Sequence, residues 1–220
     1  DEADHYRWIA SPDGKPIGTD AITVGLIYRP AKVTPEGAAS LIALPVQQAE
    51  AVDASGKPVT INQGMRESLV QRFSSPKGDA PLTLVVNHLK SKGSACDAPD
   101  AGDGQGNCSI VRTNSVNTEL AWMATDPTGT ADPDVLFIGD MNSYAKEDPI
   151  SAFKAGGATD LLNLFHGASA YGYQFDGQWG YLDHALASAS LTAKVTGVEE
   201  WHINSDEPVV LDYNTEFKTA

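Results

Sequence analysis

The segment DVLFIGDMNSYAKEDPI, residues 134–150, ends an apolar run on an aspartate and an asparagine that stand two positions apart. Residues i and i+2 of an extended chain point to the same side, so Asp140 and Asn142 should leave the end of this predicted strand together. A carboxylate is a hard oxygen ligand that suits Mg²⁺, and an asparagine amide can donate an N–H group to a phosphoryl oxygen. A local turn capped by the aspartate is the common alternative, and it would use the same two residues.

A second group of polar residues ends another apolar run, PLTLVVNHLK at residues 81–90. His88 at the end of that run could donate to a phosphate or carry a proton, although a lone histidine is more often a half-buried structural residue. Lys90 and Lys92 follow at once, which favours a site for an anion but is equally compatible with a solvated loop.

A third candidate is Asp183, which interrupts the apolar segment GYLDHALAS. A carboxylate in such a strand is costly unless it is paired. It could orient a catalytic imidazole through a carboxylate–histidine hydrogen bond, or it could be tied to the backbone or to an arginine. His184 should point to the opposite face of the strand, so it is not the obvious partner.

Two cysteines, Cys96 and Cys108, flank a Gly- and Asp-rich loop. A disulfide across so short a loop would contribute roughly 3 kcal/mol. It would also indicate an extracellular or periplasmic setting, whereas two free thiols would indicate the cytosol. The loop carries clustered oxygen ligands that could hold a structural Ca²⁺ or simply face solvent, and these residues are Asp97, Asp100, Asp103 and Asn107.

The composition sets the wider limits. The 220 residues are enough for one large domain, and we interpret residues 1–220 as a single domain because no linker or repeat divides them. No apolar run approaches the roughly 18 residues of a transmembrane helix. The net charge of −14 argues by itself against a nucleic-acid partner, but a bound divalent cation can invert the local field. The first ten residues lack the pattern of a signal peptide, so we interpret the chain as starting part-way through a protein.

Alternating and β-branched runs predict the elements that must position these residues. We predict strands at 21–29, 66–75, 81–90 and 134–140, a strand pair at 171–177 and 179–188 joined through Gly177, and a strand at 194–203. The nearly continuous apolar run at 81–90 predicts a strand that is buried on both faces, and residues 53–64 are predicted to form a connection. Helical spacing of Val116, Leu120 and Met123 predicts a helix at 110–125, and a second helix is predicted at 146–155. This pattern favours an α+β fold with two sheets packed face to face and helices outside.

The order of these motifs is specific. A strand-end NH, a helix, GDMN and YLDHALAS resemble the endonuclease/exonuclease/phosphatase (DNase I-like) superfamily, whose members carry a strand-end histidine, a G-D-x-N motif and a late [ILY]-D-x-[IAF] strand. The segments NHLKSKGSACD, DGQGNCSIVRTNSV, FIGDMNSY and WHINSDEPVVLDYNTEF are similar to the secreted bacterial extracellular nucleases. The resemblance runs from about Gly18 to Phe217 and implies a four-layer α/β/β/α sandwich.

The resemblance also implies a role for each matching residue. His88 would bind and polarise the scissile phosphate, and Asp140 would contact the metal and position or activate the attacking water. Asn142 would hold the phosphate and help to frame the metal, and Asp183 would buttress a second, catalytic histidine. Arg112 and Asn114 would line the same cleft and bind substrate. Lys90, from its position after His88, is a further candidate phosphate ligand.

Two parts of the family pattern are missing. The family carries an early asparagine and a metal-binding glutamate, but Glu2 and Glu36 lie in the wrong surroundings for that role. The family also ends on S-D-H, whereas NSDEPVV puts Glu207 in the place of the histidine. The resemblance therefore implies that the chain is an internal portion of a longer protein, and that the isolated 220 residues have little or no activity.

The function that follows from the resemblance is hydrolysis of DNA or RNA phosphodiesters with Mg²⁺ or Mn²⁺ by a secreted, periplasmic or surface-attached bacterial nuclease of low sequence preference. The partner is then nucleic acid as substrate, with no obligate protein partner. A phosphatase or phospholipid phosphodiesterase on the same fold is one alternative, because a fold does not determine a substrate. A non-catalytic binding module is another, because part of the active site is missing.

Overall fold

The structure is a computed structural model that describes residues 5–18, 22–42, 47–52, 57–63, 66–75, 77–78, 81–97, 100–203 and 205–207. The strands in this part are β1 (Arg7–Trp8), β2 (Ile27–Tyr28), β3 (Thr34–Leu41), β4 (Gln47–Val52), β5 (Pro58–Gln63), β6 (Leu69–Ser74), β7 (Leu82–His88), β8 (Val135–Asp140), β9 (Thr159–Asp160), β10 (Tyr173–Phe175), β11 (Gln178–Gly180) and β12 (Asp183–Ala187). The helices are α1 (Ser109–Met123), α2 (Asp148–Ala155), α3 (Leu161–His166) and α4 (Ala189–Thr192), and a 3-10 helix covers Gly167–Ser169.

Six of the strands form one mixed sheet in the order β3-β6-β7-β8-β12-β9. β7 and β8 are parallel, and α1 is the crossover that connects them, whereas the other neighbouring pairs are antiparallel. The remaining described strands pair two by two, as β1–β2, β4–β5 and β10–β11. The predicted α+β class and the two predicted helices next to this sheet are confirmed.

The core lies between this sheet and helices α1 and α2. One row of residues in register across four strands is buried there, namely Val70, Val85, Phe137 and Leu186. Val116 of α1 and Phe153 of α2 pack on that row, and the rings of Phe137 and Phe153 lie 5.1 Å apart. Each such side chain contributes about 1.5–3 kcal/mol when buried, so this layer fixes the positions of β7 and β8.

The opposite face of the sheet is less covered in the described residues. Along β7, Thr83, Val85 and Asn87 are buried, but Leu84 and Val86 on the other face are partly exposed. The prediction that residues 81–90 are buried on both faces is therefore wrong: the strand alternates because only one face meets helices. The partly covered face is the one on which the predicted second sheet would pack, and it also carries His88.

Several predicted strands differ from the structure. Of residues 22–29, the described part of the predicted strand at 21–29, only Ile27–Tyr28 is a strand, and residues 194–203 form none. The connection predicted at 53–64 contains β5. The predicted pair after residue 170 is split, because β10 and β11 form a hairpin while β12 joins the main sheet. Strand propensity depends on a neighbouring strand to pair with, and such a partner is not visible in local sequence. Within the described residues no helix is long and apolar enough to cross a membrane.

Candidate active site

Three polar strand ends meet at one edge of the six-stranded sheet. His88 is in register with Asp140 on the parallel neighbour, and Asp140 is in register with Asp183 on the antiparallel neighbour. Parallel strands end at the same edge, and β12 begins at that edge because it runs in the opposite direction. His88 Nε2 lies 3.6 Å from Asp140 Oδ2. The structure thus brings together three of the four candidate catalytic residues that the sequence motifs singled out, and we call these three the catalytic row.

Gly139 allows β7 and β8 to approach each other at this edge. A Cβ atom at this position would lie 2.1 Å from the backbone oxygen of Asn87, and the residue has a φ of +120°. Any side chain would therefore separate the two strands just before His88 and Asp140. The close approach of the two strands therefore explains why the GDMN motif begins with glycine, which the sequence pattern did not reveal.

The turn after β8 holds Asp140 and Asn142 in fixed positions. Asp140 Oδ1 accepts a hydrogen bond of 2.8 Å from the backbone N–H of Asn142, which has a φ of +46° that asparagine tolerates well. The Asn142 side-chain amide donates to the backbone oxygen of Leu89 at 2.9 Å. The capped turn that the sequence offered as the alternative is therefore present. The same turn places the side chains of Asp140 and Asn142 beside the end of β7.

Asp183 is exposed to the cleft next to Asp140. Partial desolvation and the negative charge of Asp140 raise the pKa of Asp183, while His184 and His88 act in the opposite direction. Two neighbouring carboxylates repel each other, so a cation between them would be stabilised.

His184 points away from the cleft, as expected from strand alternation, and is buried. Its Nε2 atom lies 2.8 Å from the backbone oxygen of Ser143, and Nδ1 lies 3.6 Å from Asp160 Oδ2. A carboxylate–imidazole pair is therefore built by Asp160 and His184, on the far side of the strand from Asp183. The pair fixes the backbone directly after Asn142. Sequence reasoning missed this role because Asp160 is distant along the chain.

Asp160 is held as a carboxylate in this buried place. Burial raises the pKa of Asp160, but the contact with His184, the backbone N–H of Asn163 and the hydroxyl of Tyr181 outweigh it, and the pKa is lowered overall. The Tyr181 hydroxyl donates to Asp160 Oδ2 at 2.8 Å, and the Asn163 N–H donates to Oδ1 at 3.1 Å. Asp160 thereby also caps the N-terminus of α3.

Arg112 is completely buried, which was not expected of a residue that binds substrate. Its guanidinium donates to the backbone oxygens of Lys90, Asn107 and Gln105 at 3.2, 2.6 and 3.0 Å. Its Nε donates to Ser143 Oγ at 3.1 Å. Arg112 therefore ties the Cys-flanked loop and the segment after β7 to the turn after β8, and the structure places it behind the cleft.

Two other predicted substrate ligands, Lys90 and Asn114, lie on different parts of the protein surface. Lys90 is partly exposed after β7, and its ammonium group donates to Ser94 Oγ at 2.8 Å. Asn114 lies on the same side of α1 as the exposed Asn117 and Thr118, and its backbone oxygen accepts from the Thr118 hydroxyl. Lys90 is thus close to the end of β7, while Asn114 belongs to the outer flank of the helix.

The Cys-flanked loop is closed by a disulfide between Cys96 and Cys108, so that expectation is confirmed. Asp100 accepts from the backbone N–H of Gly102 at 2.9 Å, and Asp103 accepts from the N–H two residues later at 3.0 Å. These carboxylates cap turns. Among the residues that the structure describes, no group of three or more His, Cys, Asp or Glu side chains could hold a metal ion, so the loop shows no calcium site there.

The glutamates considered for the missing family positions do not join the catalytic row in the described part of the chain. Glu36 on the edge strand β3 pairs with Arg72 on the neighbouring strand β6. Glu2 lies outside the described residues, and so does the segment 208–217 that contributed to the family resemblance. Glu207 is exposed.

The described donors at the catalytic row suit a cation that takes few protein ligands. Mg²⁺ usually keeps several waters and is bound through one or two carboxylates together with substrate phosphates. The Asp140 side chain is 35% exposed, and Asn142, whose backbone N–H donates to Asp140 Oδ1, is the neighbouring neutral residue. This set fits Mg²⁺ or Mn²⁺ bound mainly by water and substrate oxygens.

No protein-family model and no curated protein matches the sequence. Among solved structures, the human nocturnin catalytic domain with a bound sulfate anion has a TM-score of 0.55 at 13% identity, over 86% of this chain and 62% of that chain. D. rerio TDP2 complexed with a single-strand DNA product has a TM-score of 0.53 at 17% identity, over 86% and 64%.

An endonuclease/exonuclease/phosphatase family protein from Bacteroides thetaiotaomicron has a TM-score of 0.51 at 16% identity, over 84% of this chain and 62% of its own. This chain spans less than two thirds of the length of each of these proteins. Likeness at such low identity concerns the fold alone. The chain has the α+β, DNase I-like fold of the endonuclease/exonuclease/phosphatase proteins that it resembles.

Proposed function

We propose that this chain supplies the catalytic row of a metal-dependent phosphodiesterase that cleaves DNA or RNA with little sequence preference. The observation that carries the proposal is the register of His88, Asp140 and Asp183 on three adjacent strand ends. An imidazole and two carboxylates on one open edge are the groups that phosphoester hydrolysis needs for proton transfer and charge stabilisation. The neighbours with a bound sulfate anion and with a DNA product are compatible with a phosphate site on this fold.

Each residue of the row has a defined task in this proposal. His88 donates a hydrogen bond from Nε2 to a phosphoryl oxygen and so polarises the scissile phosphate. Asp140, oriented by its hydrogen bond with the Asn142 backbone, orients the attacking water or accepts its proton as the water oxygen bonds to phosphorus. The bond from phosphorus to the leaving oxygen breaks, and that oxygen takes a proton from solvent. Asn142 and Asp140 would hold Mg²⁺ or Mn²⁺, which would neutralise charge on the phosphoryl oxygens.

The proposal includes an extracellular, periplasmic or surface-attached location and a longer parent protein. The disulfide between Cys96 and Cys108 supports an oxidising compartment. The described donors at the row are few, so we expect the parent protein to add further metal ligands and a second histidine near Asp183. The isolated chain should then be weakly active.

A cleavage assay tests the proposal. Plasmid DNA and labelled RNA are incubated with the chain, expressed together with the sequence that flanks it in its gene. We expect cleavage in Mg²⁺ or Mn²⁺ that stops with chelator, and a loss of about 100-fold or more in kcat/KM for Asp140→Asn and for His88→Ala. Asp13→Asn is the matched control, because Asp13 is an exposed aspartate paired with Lys15.

A panel with sphingomyelin and inositol phosphates separates the alternatives. Hydrolysis of one of these with no cleavage of nucleic acid would replace the proposal by a phospholipase or phosphatase. Absence of hydrolysis with every substrate, in a folded protein with its flanking sequence, would leave only a binding module.

A further inference from the structure

A wide groove opens beside the turn that carries Asn142. It has a volume of about 1070 Å³, and its walls come from the β10–β11 hairpin, the segment after Asn142 and the region around α3. Aromatic rings form the wall on the hairpin side, namely Tyr144, Tyr173 and Phe175. We call this the aromatic groove. None of these rings has a task in the chemistry of the catalytic row.

The hairpin holds the rings in fixed positions. Tyr173 and Phe175 stand two residues apart on β10 and therefore share one face. The Tyr173 ring lies parallel to the Tyr144 ring, with centroids 6.5 Å apart and an interplanar angle of 4°, and their hydroxyls are 2.8 Å apart. Gly180 pairs with Tyr173, and a Cβ there would lie 2.7 Å from the Tyr144 ring. The closely fitted backbone thus gives the groove a rigid, flat aromatic wall.

One of these aromatic side chains is left open to solvent. Phe175 is 67% exposed on a hairpin of three-residue strands, whereas Trp179 stands opposite Gln174 on the other face of the hairpin and packs against Tyr171. A large exposed apolar group next to a polar site indicates a surface for a partner or ligand. Aromatic rings suit such a surface because they lose little conformational freedom when they are covered.

The charge of the groove differs from that of the whole protein. Its lining contains Lys92 and Lys146 against one acidic residue, Asp176, whereas the chain as a whole carries a net charge of −14. Lys146 is exposed, and the Lys92 ammonium lies 4.8 Å from the Tyr144 ring centre while it pairs with Glu147. Flat aromatic faces combined with amines are the features that bind the bases and the backbone of an unpaired nucleic-acid strand.

We propose that the aromatic groove holds unpaired nucleobases next to the scissile phosphate, so that single-stranded or locally unpaired nucleic acid is the preferred substrate. This inference rests on the proposed function and adds the substrate class. Asn142 lines the groove and belongs to the same turn as Asp140, so a strand leaving the catalytic row would enter the groove directly. Bases inside a duplex are already stacked on each other and cannot use this wall.

Binding measured without hydrolysis tests the inference. The chain is titrated in chelator against a short labelled oligothymidylate, an abasic strand of equal length and charge, and the matching duplex, with fluorescence anisotropy as the readout. We expect the oligothymidylate to bind at least about tenfold more tightly than the other two. Phe175→Ala should weaken oligothymidylate binding roughly 5- to 100-fold and leave abasic binding unchanged, because one stacking contact is lost.

Matched variants separate stacking from folding. Phe175→Trp keeps a stacking face and should restore the affinity of Phe175→Ala. Trp8→Ala removes an aromatic side chain that is 73% exposed but lies on β1 outside the groove lining, and it should leave binding unchanged. Circular dichroism checks that each variant is folded.

The outcomes are distinct. Equal affinity for the base-carrying and abasic strands, or no effect of Phe175→Ala, would overturn the inference even if the protein cleaves DNA. Binding to lipid vesicles that is lost in Phe175→Ala, without base-dependent binding, would show that the rings meet a membrane surface instead. Base-dependent binding without cleavage in Mg²⁺ or Mn²⁺ would keep the groove and reject the proposed nuclease activity.

Discussion

Glu119 gives a quantitative prediction, because a carboxyl group lies in the core directly behind the catalytic row. It belongs to α1, is 1% exposed and accepts a hydrogen bond of 2.9 Å from the Asn87 side-chain amide. The Asn87 amide oxygen in turn accepts from Ser68 Oγ at 2.6 Å. Burial raises the pKa of Glu119 to about 8, and the hydrogen bond from Asn87 opposes this only in part. The residue next to His88 is therefore held by a carboxyl group that is protonated at neutral pH.

The raised pKa makes the stability of the fold depend on pH in a defined direction. The stabilising term is fully present below the ordinary pKa of 4.5 and is lost as the pH rises through about 8, because the folded state must then bury a charge. The difference between the ordinary pKa of 4.5 and the folded value of about 8, at 1.36 kcal/mol per pH unit, gives a total loss of about 5 kcal/mol. Glu119→Gln removes this term, since glutamine still accepts from Asn87 and never ionises.

The assay is urea unfolding of the wild type and of Glu119→Gln at a series of pH values from 4 to 9, without reductant. Only the difference in the free energy of unfolding between the two proteins is interpreted, because contributions of other titrating groups cancel in it. We expect this difference to move by about 5 kcal/mol in favour of the glutamine variant across the series. Glu199→Gln, at an exposed glutamate, is the control and should show a constant difference. A constant difference for Glu119→Gln as well would refute the claim that burial keeps this carboxyl neutral.

Two further predictions concern the backbone around the cleft. Gly139→Ala should destabilise the fold by about 3 kcal/mol or more, because the new Cβ would collide with the Asn87 carbonyl; urea unfolding measures this, and Gly197→Ala, with open space around its Cβ, should be nearly neutral. Replacing Cys96 and Cys108 together by serine should lower the free energy of unfolding by roughly 3 kcal/mol, because the disulfide restricts the unfolded chain. If a reductant leaves the wild-type unfolding midpoint unchanged, the crosslink does not contribute in this way.

Local rules in the sequence were enough for some of the elements, namely α1, β7 and β8. The spacing of Val116, Leu120 and Met123 predicted α1, and the apolar runs predicted β7 and β8. Alternation along a strand predicted that His184 faces away from Asp183, and the structure agrees. These features depend on residues within a few positions of each other, so the sequence alone determines them.

The features that only the tertiary structure decided involve residues far apart in the chain. Asp160 and His184 form their buried contact because β9 and β12 are neighbours in the sheet. Arg112 is buried because its loop partners fold over it, and the segments at 21–29 and 194–203 lack the neighbouring strands that their composition favoured. The aromatic groove likewise exists only once the β10–β11 hairpin stands against the turn after β8. Burial and strand pairing stabilise the fold through contacts between distant segments of the chain. They therefore decide which side chains are buried and which strands pair, whereas local propensity only favours the individual elements.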